Sequence, residues 1–251
     1  MKLTGKKILI SGAKQGMGLE IAKRLKKEGA SLILNDKSSD SNFEKIAKEL
    51  DAKLMICDLS KLDEISTAVN DVLKPGDNLY GLVAQHAYAA MAKFEEHEDS
   101  DWWKIINTNL LGTYVLVRET LPFLLNAKGK IVITSSYWGL SGWSEASAYA
   151  TSKAGLISLV KSLGRELAPQ GVNVNGIAPG VINTPQLQVD ADNLNISLEE
   201  VKKMYAENIP LGRVGEAEEI ANVVSFLLDP EQNAMVGQIV NANGGELRSR
   251  A

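Results

Sequence analysis

Short apolar runs alternate with longer amphipathic segments along almost the whole chain. The apolar runs cover residues 6–10, 31–34, 54–57, 82–84, 131–134, 172–177 and 238–240. Between several of them apolar residues recur at helical spacing, as in 19–25, 65–72, 102–125, 149–167 and 216–228. Strands that alternate with helices in this way form a parallel sheet covered on both faces. The alternation therefore predicts an α/β, doubly wound fold with a parallel sheet of about seven strands.

No linker, repeat or low-complexity run divides the sequence. Its 251 residues are within the size of single α/β domains, so one domain over residues 1–251 is predicted. The net charge of −4 offers no basic surface for nucleic acid or for an anionic membrane. No apolar run is long enough to span a bilayer, and the first residues lack the apolar core of a signal peptide, so we expect a cytoplasmic protein.

Metal and disulfide chemistry have few candidate residues in this sequence. The chain contains one cysteine and two histidines, too few for an internal disulfide or a cluster with metal-ligand spacing. Cys57 lies within an apolar run, which favours a buried, inert thiol over a nucleophile. We assign no metal site.

A glycine-rich turn separates the first predicted strand from the first predicted helix. Glycines in such a turn let the backbone approach a ligand, and the helix N-terminus beyond it offers free N–H groups to a phosphate. A tight strand-to-helix turn also selects glycine for steric reasons alone, so the turn by itself does not decide between the two. The residues predicted to contact a dinucleotide here are Gly12, Gln15, Gly16, Met17 and Gly18.

Two acidic residues follow the next strands. Asp36 comes about 20 residues after the glycines, where a carboxylate can accept hydrogen bonds from a ribose 2′-hydroxyl and repels a 2′-phosphate. Asp36 therefore favours NAD, and the neighbouring Lys37 leaves NADP as the alternative. Asp58 and Leu59 close the third strand and are predicted to lie on the same cleft, although acidic residues in solvated loops are common.

Tyr149 and Lys153 lie one helical turn apart in the segment that follows strand 131–134. Their side chains share a helix face, and an ammonium near a phenol stabilises the phenolate and lowers the pKa of the tyrosine. Such a tyrosine can exchange a proton with an alcohol or carbonyl, while the hydroxyl of Ser136 at the strand end holds the substrate oxygen. Spacing alone also fits an ordinary pair of helix residues.

The candidate residues converge on one edge of the predicted sheet. Ligands of open parallel sheets bind beyond the carboxyl ends of the strands. The glycine turn, Asp36, Asp58, Ser136 and Pro179 all follow such ends, although they are scattered through the sequence. This convergence predicts one crevice that holds both a nucleotide and a reacting group.

In this order and spacing the motifs resemble those of the short-chain dehydrogenase/reductase family, in its single-domain form, over nearly the full length. The family's T-G-x-x-x-G-x-G turn appears as residues 11–18 with serine in the first position, and its Y-x-x-x-K pair is Tyr149 and Lys153. Its strand-end serine is Ser136, and its helix asparagine is Asn109. The resemblance implies a Rossmann-type fold and hydride exchange between a nicotinamide cofactor and the carbon that bears the substrate oxygen.

The resemblance also implies roles for individual residues. Asn109 would anchor a water that links Lys153 to solvent, and Lys153 would hold the ribose hydroxyls. A helix asparagine can instead bond to neighbouring backbone, but the family match favours the relay role. The segment that would clasp the nicotinamide contains Pro179, Gly180, Ile182 and Thr184. Helices equivalent to 102–125 and 149–168 pair between subunits in relatives, so a homotetramer is expected.

One segment departs from the family pattern. Residues 84–87 read Ala-Gln-His-Ala where the family usually has N-N-A-G. Ala87 adds a methyl group to the expected cofactor floor. His86 is a candidate substrate contact or second acid/base, but a histidine that is packed and hydrogen-bonded within the wall is the preferred interpretation.

The segment 181–209 would cover the substrate pocket. Its polar composition and length predict a mobile lid. Trp138 and Trp143 lie between the serine and the tyrosine, where they could flank a substrate ring, pack internally or contact another subunit. With Gln186 and His86 they are the candidate substrate contacts.

Three functions remain open from the sequence. The first is an NAD-dependent oxidoreductase acting on a secondary alcohol or ketone, such as a sugar or cyclic diol, which the polar lid and aromatic residues favour. The second is a β-ketoacyl thioester or other carbonyl reductase that uses NADPH. The third is a dinucleotide-sensing regulator without catalysis, which the complete set Asn109, Ser136, Tyr149 and Lys153 disfavours.

Overall fold

The computed structural model describes residues 1–247, and its main feature is a seven-stranded parallel sheet. The strands in chain order are β1 (Lys7–Ser11), β2 (Ser31–Asp36), β3 (Ala52–Ile56), β4 (Gly81–Ala84), β5 (Lys130–Thr134), β6 (Asn173–Pro179), the short β7 (Ile182–Asn183) and β8 (Gly215–Glu216), and β9 (Ile239–Ala242). The order in the sheet is β3-β2-β1-β4-β5-β6-β9, with every neighbouring pair parallel. The predicted doubly wound fold is confirmed.

Helices cover both faces of this sheet. In chain order the α-helices of the described residues are α1 (Gly16–Lys27), α2 (Ser41–Glu49), α3 (Ile65–Val72), α4 (Asp99–Ile106), α5 (Gly112–Ala127), α6 (Trp138–Ser141), α7 (Ser147–Leu167), α8 (Gln186–Leu194), α9 (Leu198–Ala206) and α10 (Ala217–Leu228). A π-helical turn, Asn107–Leu111, joins α4 to α5. No helix among the described residues is long and apolar enough to cross a membrane.

The core consists of two apolar layers, because successive strand residues point to opposite faces of the sheet. Leu9 of β1 packs in the layer that holds residues of α3, α5 and α7. Its neighbours Ile8 and Ile10 pack in the layer that holds residues of α1, α2 and α10. Each fully buried aliphatic side chain contributes about 1.5–3 kcal/mol, so the sheet is held firmly from both sides.

The parallel arrangement brings the functional segments to one edge. Ser11 at the end of β1 pairs with Asn35 of β2, and Thr134 at the end of β5 pairs with Ile177 of β6. The glycine turn, Asp36 and Ser136 therefore leave the sheet on the same side. The predicted convergence follows directly from this register.

The segment predicted as a polar lid contains two helices, α8 and α9. They bury Leu187, Ala191 and Val201 in a small apolar cluster with Ile209 and Val214. A polar outer surface conceals this helical pattern in the sequence. The sequence analysis also did not identify α2, a short helix capped by a side chain at its N-terminus.

A short two-stranded ribbon closes the base of the lid. β7, before α8, pairs in parallel with β8, after α9. Asn183 Nδ2 donates to Glu216 Oε2 at 2.9 Å, and a Cβ on Gly215 would lie only 2.6 Å from Ile182 Cδ1. The two ends of segment 184–214 are thereby held side by side.

Candidate active site

The glycine turn brings backbone very close to its neighbours. Gly12 has φ +64°, and a Cβ there would lie 2.9 Å from the Cα of His86. A Cβ on Gly18 would lie 2.1 Å from the carbonyl oxygen of Gly12, nearer than any non-bonded contact allows. Helix α1 begins at Gly16, so its N-terminal N–H groups face the turn. The turn thus presents uncovered backbone donors to an anion.

A cleft of about 370 Å³ opens beside this turn. It brings together residues that are far apart in the sequence and includes most of the predicted cofactor contacts. The predicted cofactor contacts that line it are Gly12, Gln15, Gly16, Met17, Gly18, Asp36, Asp58, Leu59 and Thr184. The predicted substrate contacts that line it are His86 and Gln186.

Several lining residues were not identified from the sequence. They are Ser60, Tyr88, Lys104 and Thr108. Lys104 and Thr108 lie four residues apart, shortly before Asn109, so their shared helix face was the available signal. Ser60 and Tyr88 occupy loops and carry no comparable periodicity.

Asp36 and Asp58 are fixed by local hydrogen bonds at the cleft. Asp36 Oδ1 accepts from the backbone N–H of Lys37 at 2.9 Å. Asp58 Oδ1 accepts from the backbone N–H of Ser60 at 3.0 Å and from its hydroxyl at 2.8 Å. Burial acts to raise the pKa of Asp58, but the two Ser60 hydrogen bonds and the charges of Lys37 and Lys61 together lower it. Asp58 is therefore a carboxylate at neutral pH.

Ser136, Tyr149 and Lys153 come together beyond the end of β5. Lys153 Nζ lies 5.5 Å from the centroid of the Tyr149 ring and donates to the carbonyl of Thr134 at 2.9 Å. The hydroxyl of Ser136 is close enough to Tyr149 to lower the pKa of its phenol, and it accepts from the backbone N–H of Trp138 at 3.2 Å. The serine and the phenol can therefore contact one substrate oxygen.

The expected lowering of the tyrosine pKa is wrong for the protein on its own. Burial raises the pKa of Tyr149 to about 12, and the Ser136 hydrogen bond opposes this only in part. Burial also lowers the pKa of Lys153 to about 7, because its ammonium is almost completely removed from water. At neutral pH the phenol is protonated, and the lysine is not the permanent cation that the expectation required.

Asn109 lies fully buried in the π-helical turn. Its Oδ1 accepts from the backbone N–H of Tyr88 at 2.7 Å, and its Nδ2 donates to the Tyr88 carbonyl at 3.0 Å and to Ser152 Oγ at 3.0 Å. Its side chain therefore ties the loop after β4 to α7, next to Lys153. The expected role as a water anchor stays a prediction.

The segment after β6 reaches the site in part. Pro179 accepts from the backbone N–H of Tyr137 at 3.1 Å, which holds it beside Ser136. Gly180 leaves no room for a side chain, since a Cβ there would lie 2.8 Å from the Cα of Asn243. Ile182 points into the core layer that also contains Ile220, so only its backbone is left for a cofactor contact.

The lid approaches the glycine turn through its first residues. A Cβ on Gly16 would lie 3.4 Å from the Cβ of Thr184. Gln186, at the start of α8, donates from Nε2 to Asp190 Oδ1 at 3.1 Å along the helix. The lid therefore borders the nucleotide side of the cleft.

An aromatic group lies beside Tyr149. The Trp138 and Trp143 rings are stacked, with centroids 5.2 Å apart and an angle of 11° between planes. Trp138 also meets Tyr149 edge to face at 5.8 Å, and Tyr137 packs against both tryptophans. The pair thus forms a wall of the space in front of Tyr149, while Trp143 remains 47% exposed.

His86 is hydrogen-bonded through both ring nitrogens. Nδ1 lies 2.7 Å from Ser11 Oγ, and Nε2 lies 3.1 Å from the carbonyl oxygen of Thr108. Burial is the main cause that lowers the pKa of His86, to about 3. A neutral imidazole ring with a hydrogen bond at each nitrogen is a poor proton donor, so the arrangement does not favour the acid/base alternative.

Comparisons with known proteins agree with this geometry. The model of the family described as "Enoyl-(Acyl carrier protein) reductase" matches residues 12–246. Proteins named 3-oxoacyl-(acyl-carrier-protein) reductase FabG are similar over 98% of the chain and 98% of their own length: that of Aquifex aeolicus is 34% identical, and that of Rickettsia felis is 36% identical. A solved structure described as a short chain dehydrogenase/reductase family protein is 27% identical, covers 98% of both chains and has a TM-score of 0.86.

The doubly wound sheet, the glycine turn and the group around Tyr149 define an oxidoreductase of the dinucleotide-dependent class. Matches over nearly the whole length then identify the particular family. The chain belongs to the short-chain dehydrogenase/reductase family. Membership implies a nicotinamide dinucleotide, and the uncovered backbone between Gly12 and Gly18, with Asp36 beyond it, fits such a cofactor.

Proposed function

We propose that this protein reduces a ketone to a secondary alcohol, and that its substrate is a 3-oxoacyl thioester. The observation that carries the proposal is the meeting of Ser136, Tyr149 and Lys153 beyond the end of β5, where the phenol of Tyr149 is protonated at neutral pH. A protonated acid is ready to donate to the oxygen of a carbonyl that is being reduced. The names of the relatives support the substrate class.

The residues divide the chemistry among them. The bound dinucleotide supplies the hydride when the carbonyl is reduced. Ser136 donates a hydrogen bond to the substrate oxygen, and Tyr149 delivers the proton to it. Lys153 can take up and release a proton near neutral pH, because burial lowers its pKa to about 7, and it is therefore suited to reprotonate Tyr149.

The first test is turnover followed by the absorbance of the reduced nicotinamide. In Tyr149→Phe the proton donor is lost while the ring packing is kept, so we expect kcat to fall by about 10²–10⁴-fold with dinucleotide affinity retained. Tyr114→Phe, an exposed tyrosine on α5, is the control and should behave as wild type. Unchanged turnover in Tyr149→Phe would reject the assigned donor.

A second substrate class, a hydroxylated ring such as a sugar or cyclic diol, is favoured by one observation. The stacked Trp138 and Trp143 present a flat apolar wall next to Tyr149, and such walls pack well against rings. A panel of 3-oxoacyl thioesters, sugars and cyclic diols separates the two classes. Dinucleotide binding without turnover of any member would instead support a sensing regulator.

The cofactor choice follows from Asp36. Its carboxylate lines the cleft at the end of β2, where it suits a ribose hydroxyl and repels a phosphate. Lys14, the nearest cation within the glycine turn by sequence, pairs with Asp40 at 2.6 Å, which reduces its availability to a phosphate. We therefore expect NADH to be preferred over NADPH, and Asp36→Asn to reduce that preference by at least about tenfold in kcat/KM. Equal use of both cofactors by wild type would contradict the assignment.

A further inference from the structure

His86 connects two parts of the site that are separate in the sequence. Its Nδ1 contacts Ser11 Oγ at 2.7 Å, where β1 enters the glycine turn. Its Nε2 contacts the carbonyl of Thr108 at 3.1 Å, in the π-helical turn that carries Asn109. One ring therefore spans from the nucleotide turn to the helix that supports the catalytic residues.

The hydrogen bonds fix the tautomer of this ring. Ser11 Oγ accepts from the backbone N–H groups of Gln85 at 3.1 Å and His86 at 3.3 Å, so its own proton is available to Nδ1. The alternative acceptor for that proton, the Val83 carbonyl, is farther away at 3.4 Å. The Thr108 carbonyl can only accept, so Nε2 carries the ring proton. The ring is therefore neutral and cannot rotate without losing both partners.

The bridge continues to the catalytic helix. Thr113 Oγ1 lies 3.4 Å from His86 Nε2 and donates to the Asn109 carbonyl at 2.7 Å. The Asn109 side chain in turn donates to Ser152 Oγ at 3.0 Å, one residue before Lys153. Polar contacts thus run without a break from the glycine turn to α7.

The surroundings of the ring oppose its protonation. A proton on Nδ1 would face a hydroxyl that already accepts two hydrogen bonds, and the charged groups that act on the ring are Lys153 and Asp58. Burial and then Lys153 lower the pKa of His86 to about 3, and the Thr108 carbonyl and Asp58 only partly compensate. The bridge keeps the same hydrogen bonds across the neutral pH range.

We propose that His86 is a positioning residue that holds the glycine turn in register with the helix bearing Asn109, and so aligns the bound dinucleotide with Tyr149 and Lys153. The bond to Ser11 governs the turn and therefore dinucleotide binding. The bond to Thr108 governs the helix and therefore the proton-transfer step. The kinetic part of this inference rests on the proposed function, whereas the binding and spectroscopic parts do not.

Three substitutions of His86 separate the two bonds. His86→Asn keeps an acceptor near the position of Nδ1 but cannot reach Thr108, His86→Gln reaches toward Thr108 but loses Ser11, and His86→Phe loses both. Loss of one buried hydrogen bond should change the affected constant by about tenfold. We expect the dinucleotide Kd to rise in the Gln and Phe variants and kcat to fall in the Asn and Phe variants. The control is His97→Phe, which changes the other histidine of the chain and should alter neither.

The ring itself gives a readout that needs no substrate. With only two histidines, nitrogen NMR of wild type and His97→Phe assigns the His86 signals. We expect a proton on Nε2 alone, unchanged down to about pH 5. A proton on Nδ1, a ring that titrates near its ordinary pKa, or wild-type Kd and kcat in His86→Phe would each overturn the inference. If His86→Phe does not fold, the opposite Kd and kcat patterns of the Asn and Gln variants decide.

Discussion

At the scale of single residues, the site buries ionisable side chains whose charged forms are disfavoured away from water. Lys153 is 1% exposed, and its Nζ has the Thr134 carbonyl as a hydrogen-bond acceptor. Removal from water also raises the pKa of Tyr149, although its side chain is less completely buried. The four-residue spacing of Tyr149 and Lys153 could be recognised in the sequence, but the pKa values depend on burial by the whole fold. The sequence alone therefore predicted the pair and gave the wrong direction for the pKa of the tyrosine.

Lys153→Met should stabilise the protein while abolishing its proposed activity. The unfolded lysine has its ordinary pKa of 10.5 and the folded one about 7, so between these values the unfolded chain binds more protons. The free energy of unfolding of the wild type therefore decreases as the pH falls from 10.5 to about 7, by roughly 1.4 kcal/mol per pH unit. Over the whole range the loss is roughly 5 kcal/mol, which exceeds the cost of about 1–3 kcal/mol for leaving the Thr134 carbonyl unpaired.

Thermal unfolding across that pH range measures the effect. The Tm of Lys153→Met should exceed that of wild type near pH 7, and the difference should shrink as the pH rises. Lys27→Met, an exposed position on α1, serves as the control and should shift the Tm little at any pH. A lower Tm for Lys153→Met near pH 7 would show that the lysine is not strained by burial.

Gly18→Ala should weaken dinucleotide binding. The added Cβ would lie 2.1 Å from the Gly12 carbonyl oxygen, so the backbone of the turn must move and its N–H groups lose their alignment. We expect the dinucleotide Kd to rise by at least about tenfold, as measured by calorimetric titration. Gly76→Ala is the control, because its Cβ would meet no atom within 4 Å and its cost is limited to its positive φ. Binding at wild-type strength in Gly18→Ala would mean that the turn is not the cofactor cradle.

At the scale of elements, local sequence patterns were sufficient for the core and insufficient for the lid. β1, β5 and α7 carry continuous apolar runs or a helical period, and they were predicted to within two residues at each end. α8 carries Gln, Asp and Asn and α9 carries Glu and Lys, and their buried apolar residues pack with each other and with Ile209 and Val214, outside both helices. Burial that depends on contacts between separate segments leaves only a weak hydrophobic periodicity in a short, mostly polar stretch of sequence.

The ribbon at the base of the lid should control how the lid opens. Asn183→Ala removes the hydrogen bond to Glu216 at 2.9 Å, which is worth about 1 kcal/mol. We expect faster amide hydrogen exchange throughout segment 184–214 and a higher KM for the substrate, with exchange in β5 unchanged. Gln188→Ala, which removes an exposed bond within α8, is the matched control. Equal exchange in the two variants would contradict a role for the ribbon.

At the scale of the whole molecule, the fold leaves apolar side chains on the helices that were expected to pair between subunits. Trp103 of α4 is 57% exposed and Tyr114 of α5 is 45% exposed. Exposed aromatic side chains on neighbouring elements are typical of protein interfaces. The expected homotetramer would cover them.

Trp103→Glu should therefore change the assembly state. A carboxylate in place of an aromatic side chain disfavours a buried contact, and light scattering should show about four chain masses for wild type and fewer for the variant. Ile56→Glu, at an exposed position of the edge strand β3, is the control and should not alter the mass. A monomeric wild type would contradict the expectation drawn from the family.

The two-stranded ribbon formed by β7 and β8 has a consequence for how the substrate preference of such enzymes can change. Because residues 182–183 and 215–216 are joined, the thirty or so residues between them start and finish at one place and carry their own apolar cluster. A segment built in this way is suited to exchange as a unit, provided that Thr184 and Gln186, which line the nucleotide cleft, are kept. Replacing this segment with the corresponding one of another enzyme should transfer that enzyme's substrate preference, with no further change to the sheet and the other helices.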